Sequence, residues 1–206
     1  MINTYRSKLF VLIFVFLPVV WSCAEMKGWV SQKISGEAPA PPPVKETAQT
    51  PTEASAQAAT QAKKQMAAGA YQNAIDIYAV AHQNHPHDQA LLNEYVKSIE
   101  KIKSTADQAS NEQDFVTAGR NYDVLLKNYS KIKSVNKNLS FNDTYLDEKL
   151  SICKKTISKQ GFEEYRKGNL GGAITLWEAL LDIDPQNKDI KESVNTAKLQ
   201  QKNLQK

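Results

Sequence analysis

One pattern occurs twice in this chain and constrains its fold more than any other feature. Gly69-x-Tyr71-x-x-Ala74-Ile75-x-x-Tyr78-x-x-Ala81-x-x-x-x-Pro86 is followed by Gly168-x-Leu170-x-x-Ala173-Ile174-x-x-Trp177-x-x-Leu180-x-x-x-x-Pro185. In both copies the glycine stands five residues before the first alanine and the proline twelve after it. A weaker copy, Phe115-x-x-Ala118-x-x-x-Tyr122-x-x-Leu125, lies between them and lacks both the Gly and the Pro. Such self-similarity marks stacked repeats, in which each unit buries its apolar face only against its neighbours. Each position has a mechanical reading. The glycines sit where a helix stops and the chain reverses with positive φ. Ala74, Ala118 and Ala173 keep the second helix of each hairpin slim. Tyr78, Tyr122 and Trp177, one turn on, fill the gap between neighbours. Pro86 and Pro185 end the second helix or start the next. Ala62, Ala106 and Gly161 fit the close-contact position of the first helix.

These motifs resemble the tetratricopeptide repeat. The resemblance covers residues 54–206 and implies an all-α fold, a short α-hairpin solenoid of about three helical hairpins and a C-terminal capping helix. A regular array repeats every 34 residues or so. Here the alanine-to-alanine steps are 44 and 55 residues. Part of the excess goes into long first helices. Leu92, Tyr95, Ile99, Ile102, Ala106 and Ala109 form a 3,4-spaced stripe over 88–112. Leu146, Leu150, Cys153, Ile157, Gly161 and Tyr165 do so over 143–167. The remainder is expected in a loop, 129–142, with Asn142 or Asp143 as the next N-cap. A last helix over about 187–203 carries a thin stripe of Ile190, Val194 and Ala197 and reads as the polar cap of the stack.

The N-terminal quarter is of another kind. MINTYRSK carries Arg6 and Lys8, and the apolar run Leu9–Trp21 is 13 residues long. A membrane span needs about 20, so residues 1–22 read as a cleaved secretory signal. Val20-Trp21-Ser22-Cys23 resembles a bacterial lipobox, with Trp21 where a small residue is usual. That resemblance implies thioether-linked diacylglycerol and an acylated amine on Cys23. The alternatives are cleavage after Ala24, a small-x-small site that would discard the cysteine, and an uncleaved anchor. Ala24, not Asp, after the cysteine implies the outer membrane of a Gram-negative envelope, facing the periplasm. Residues 23–53 then form a lipid-anchored Pro/Ala-rich linker. Its part 36–53 has one aliphatic residue larger than Ala, Val44, so it cannot bury a core and reads as a disordered stalk. Extended at about 3.1 Å per residue it reaches roughly 55 Å.

Charge and motifs exclude several classes. Lys and Arg number 26 and Asp and Glu 22. Removing Arg6 and Lys8 with the signal leaves 24 − 22 = +2, too balanced for a general nucleic-acid binder. Two cysteines support neither a disulfide framework nor a four-thiolate zinc site. No phosphate-binding glycine loop, nucleophile elbow or H-E-x-x-H occurs, so no enzyme is expected. His82-x-x-His85-Pro86-His87 holds all three histidines. Imidazoles at i, i+3 can share a metal, but a solvated helix end, where His⁺ meets the C-terminal dipole, is the reading taken. No cofactor is expected beyond the covalent lipid.

The expected function is therefore a non-catalytic, lipid-anchored scaffold for protein or peptide partners in the bacterial cell envelope. Tetratricopeptide stacks bind partners on the concave face made by their first helices, which implies Lys63, Met66, Asp107, Asn111, Phe162, Tyr165 and Arg166 as contact residues. Tyr165 also extends the apolar stripe, so core and contact readings both stand. Only Lys63 and Asn111 resemble the family's carboxylate clamp, in different repeats, so carboxylate capture is not implied. The alternative is binding to cell wall or another anionic polymer. It would act through the basic loop 127–137, with Lys127, Lys131, Lys133 and Lys137, and the tail lysines Lys198, Lys202 and Lys206.

Overall fold

The computed structural model describes residues 51–135 and 139–205. The expected signal, Cys23, nearly all of the expected linker, Lys137 and Lys206 lie outside the described residues. Among the described residues there are seven helices and no strand: α1 (Pro51–Ala67), α2 (Tyr71–Asn84), α3 (Gln89–Asn111), α4 (Phe115–Val135), α5 (Asp143–Arg166), α6 (Leu170–Ile183) and α7 (Lys188–Leu204). They form the expected hairpin solenoid. α1/α2, α3/α4 and α5/α6 pack as consecutive hairpins, and α7 closes the stack against α6. The second helices α2, α4 and α6 pack on one another in order.

The three hairpins turn in one way. Gly69 and Gly168 have φ of 72° and 79°. The middle hairpin uses Gln113 at φ 65°, five residues before Ala118, where the other copies carry glycine. At each turn two amides close on the preceding helix. Gly69 N bonds Met66 O at 3.2 Å and Ala70 N bonds Gln65 O at 3.0 Å. Gln113 and Asp114 do the same at 3.1 and 2.9 Å, and Gly168 and Asn169 at 3.0 and 2.9 Å. This is the Schellman arrangement, which satisfies the last helical carbonyls. The joints between hairpins also repeat. α2 and α6 end at His85 and Asp184, with φ of −130° and −128°, and a proline follows each. Asp88 and Asn187 then cap the next helices by accepting from Leu91 N and Ile190 N.

Apolar stripes run as expected along α5 and α7, where Leu146, Leu150, Cys153, Ile157, Ile190, Val194 and Ala197 are buried. Three expectations are corrected. The helical body begins at Pro51, three residues before 54. In α3 the first buried residue is Leu91, not Leu92, because capping at Asp88 sets the phase Leu91–Tyr95–Ile99–Ile102. Residues 129–135 are not loop but the last two turns of α4. Tyr129, Ile132 and Val135 continue that helix's apolar stripe, and no Gly or Pro between 120 and 142 stops it. The true connector is short and pinned. Phe141 is buried beside Tyr129, and Glu100 accepts from Ser140 N and Oγ.

Candidate interaction surface

The packing position and the exposed position beside it come from the same register. Ala62, Ala106 and Gly161 are buried, each sixteen residues before the aromatic that fills its hairpin, Tyr78, Tyr122 or Trp177. One residue on, at 63, 107 and 162, the first helix faces the groove toward the next first helix. The three grooves differ in what crosses them.

In the first, Lys63 of α1 reaches Glu94 of α3 with Nζ–Oε2 of 3.0 Å. In the second, Asp107 of α3 accepts from Tyr145 of α5 and Tyr122 of α4, both at 2.6 Å, and from Lys103 at 2.8 Å. Burial raises the Asp107 carboxyl, but the bonds from Lys103 and the two tyrosines outweigh it and hold the group below the usual carboxylate range. Burial and the same carboxylate push both phenols upward. Hydrogen bonding to Asp107 raises Lys103. Asp107 is thus tied into the joint of three helices.

In the third groove Phe162 occupies this position, and no polar bridge to α7 forms among the described residues. Its ring meets Trp177 edge-on at 4.9 Å, and Tyr165 tilts against Trp177 at 5.8 Å. Phe162, Tyr165 and Trp177 face Asp189, Glu192, Ser193 and Thr196 of α7 across a cavity of about 420 Å³. Phe162 is 42% exposed and Tyr165 half-buried, so Tyr165 both extends the core and lines the groove.

Of the other expected contact residues, Met66 is half-buried on the core, and Asn111 and Arg166 are exposed at the ends of α3 and α5. The α7 wall escaped sequence reasoning, which treated that helix only as a cap. The signal was present: Asn187, Ile190 and Val194 repeat Asp88, Leu91 and Tyr95 at a spacing of 99 residues, the same offset as the two strong motifs. α7 therefore stands where the first helix of a fourth hairpin would begin.

The histidines do not converge. His82 lines the groove between α2 and α4 with Lys131 and Val135. His85 faces α1 beside Ala54 and Ala58, and His87 is exposed. No group of three or more His, Cys, Asp or Glu able to hold a metal occurs among the described residues. The lysines of 127–135 are engaged within the fold: Lys127 with Asp123 at 2.5 Å, Lys131 with Asp76 at 3.9 Å, and Lys133 over the Tyr129 ring at 5.7 Å. In the tail, Lys198 pairs with Glu178 at 2.6 Å. Cys153 is buried, which pushes its thiol up to about 11 and removes nucleophilic character at neutral pH. No family model, curated protein or solved structure matches this chain.

Proposed function

We propose that this chain is a non-catalytic, lipid-anchored envelope protein whose tetratricopeptide-like stack holds a protein partner. One observation carries the reading: of three equivalent grooves between first helices, two are bridged internally and the third is open, lined by aromatic side chains and flanked by an exposed Phe162. Aromatic side chains are among those that dominate interface energetics. The anchor reading is supported by the lipobox-like Val20–Cys23 and by the Pro/Ala-rich spacer that follows. No helix among the described residues is long and apolar enough to cross a membrane.

The test is purification from detergent-solubilised membranes of the wild-type chain, Cys23→Ala and Phe162→Asp. The expected intact mass begins at Cys23 and carries acyl chains, and the alanine variant loses both the acyl mass and the membrane fraction. A partner complex that survives high salt with wild type and is lost with Phe162→Asp supports the scaffold. A complex that is indifferent to Phe162→Asp, or an unlipidated chain beginning at Glu25, contradicts it.

A further inference from the structure

The third groove differs from the first at both ends of the bridge that crosses it. The two are related by the 99-residue offset, so Phe162 corresponds to Lys63, Tyr165 to Met66, Trp177 to Tyr78 and Ser193 to Glu94. In the first groove a lysine on the first helix meets a carboxylate on the following first helix. In the third groove the lysine has become Phe162 and its acidic partner Ser193, while α7 presents two carboxylates at neighbouring positions, Asp189 and Glu192, on the facing wall. Neither makes an ion pair among the described residues. The acids around them do: Glu163 with Lys159, Glu164 with Lys167, Glu178 with Lys198, Asp182 with Arg120 and Asp184 with Lys154. This part of the surface matches its acids to internal cations everywhere but in the open groove.

We infer that the third groove receives a lysine or arginine side chain of a partner's basic, partly apolar peptide segment, which brings a cation to Asp189 and Glu192 as Lys63 brings one to Glu94. The walls suit such a side chain in two ways. Aromatic rings accept the aliphatic stem and attract the cation, and the two carboxylates take the charged head. The apolar surroundings favour a peptide over a small free cation. Glu192, Thr196 and Leu199 follow one another at i, i+4 and i+7, so the face of α7 that lines the groove also carries Leu199, which is 61% exposed. With Phe162 on the opposite wall, apolar neighbours of the basic residue find surface on both sides.

This inference rests on the scaffold reading but fails separately from it. The probe is a fluorescein-labelled heptapeptide, Gly-Lys-Leu-Arg-Leu-Lys-Gly, with a counterpart in which glutamate replaces the basic residues. Binding is read by anisotropy to the lipidated chain in phosphatidylcholine nanodiscs, with empty nanodiscs as the blank. The basic peptide should bind and the acidic one should not. Neutralising the groove with Asp189→Asn and Glu192→Gln together should weaken binding about five- to tenfold. Neutralising two other exposed, unpaired acids, Asp147→Asn and Glu148→Gln, removes the same charge elsewhere and should leave binding within about twofold. All four positions are exposed, so thermal melts should match wild type. Equal loss in the two double variants, equal binding of the acidic peptide, or no binding to wild type overturns the inference. A membrane complex that remains sensitive to Phe162→Asp in any of those cases would leave the scaffold standing and assign the groove to a partner of other chemistry.

Discussion

Trp177 lies so close on Gly161 that a Cβ added to the glycine would stand 2.2 Å from the indole Nε1 and 2.5 Å from Cδ1. The other two hairpins carry alanine at this position, sixteen residues before a tyrosine. The larger ring has thus been matched by removal of a methyl group. There is a polar cost as well. Tyr78 accepts a hydrogen bond from Ser98 at 3.3 Å and Tyr122 donates to Asp107, whereas Trp177 Nε1, set against α5, has no partner among the described residues. Gly161→Ala is expected to destabilise the domain by about 3 kcal/mol through overpacking. Trp177→Tyr alone should cost about 1–2 kcal/mol. In the Trp177→Tyr background Gly161→Ala should cost under about 1 kcal/mol, because the pair then matches the other hairpins. Urea denaturation of the four-member cycle measures the coupling, and additive effects would refute the match.

The turn residues isolate backbone conformation from packing. Nothing lies within 4 Å of a Cβ built on Gly69 or Gly168, so alanine there is opposed by its positive φ alone. Left-handed backbone costs a non-glycine residue about 1–2 kcal/mol, partly offset by a stiffer unfolded chain. Gly69→Ala and Gly168→Ala should each destabilise by about 0.5–1 kcal/mol. Gln113→Gly should stabilise by a similar amount, since Gln113 already bears that strain. Chemical denaturation midpoints read all three, and a destabilised Gln113→Gly would show that its side chain is needed at the turn.

The Asp107 knot gives the middle hairpin a pH dependence with two limbs. The Asp107 carboxyl is held low in the folded chain, so its contribution is complete above its unfolded value of about 3.9 and is lost as pH falls through the lower folded value. Tyr122, Tyr145 and Lys103 are held high. Their contribution is complete below about pH 10 and is lost as pH rises from there toward the folded values. Asp107→Ala leaves both phenol hydroxyls without their acceptor and should cost about 2–3 kcal/mol, while Tyr145→Phe should cost about 1 kcal/mol. Stability measured from pH 3 to 11 should fall at both ends in wild type and more shallowly in Asp107→Ala.

Cys153 is fully buried, and its thiol is pushed up to about 11 by burial. In a chain carrying Cys23→Ala it is the one remaining thiol. It should be inert to a disulfide reagent at pH 8 in the folded state and react promptly in denaturant. Rapid modification of the folded protein would mean that α5 opens locally far below the global unfolding free energy.

The hairpins were legible in the sequence because each is specified locally. The small residue at the contact and the aromatic in the gap are sixteen residues apart with the turn glycine between them, and their register alone placed α2, α6 and the buried stripe of α5. The end of α4 was not legible, because lysines and serines interleave with Tyr129, Ile132 and Val135 and obscure a stripe that only packing on its neighbours completes. The site was half legible. Counting from the turn found Phe162 and Tyr165, but whether a first-helix residue is free depends on what stands across the groove. Lys63 and Asp107 have the same sequence credentials as Phe162 and are occupied by Glu94 and by Tyr145. Asp189 and Glu192 lie on a helix that the sequence presents only as a polar cap, and the packing of α7 beside α5 and α6 gives them a facing wall.

The most direct test is photocrosslinking in intact cells from a benzophenone-bearing residue placed at 162, with the same residue at Lys63 as the comparison. The account predicts a specific protein adduct from position 162, reduced by Asp189→Asn with Glu192→Gln, and at most a weak one from position 63. No adduct at 162, or equal adducts from the two positions, would contradict the claim that the third groove is the one held open for a partner.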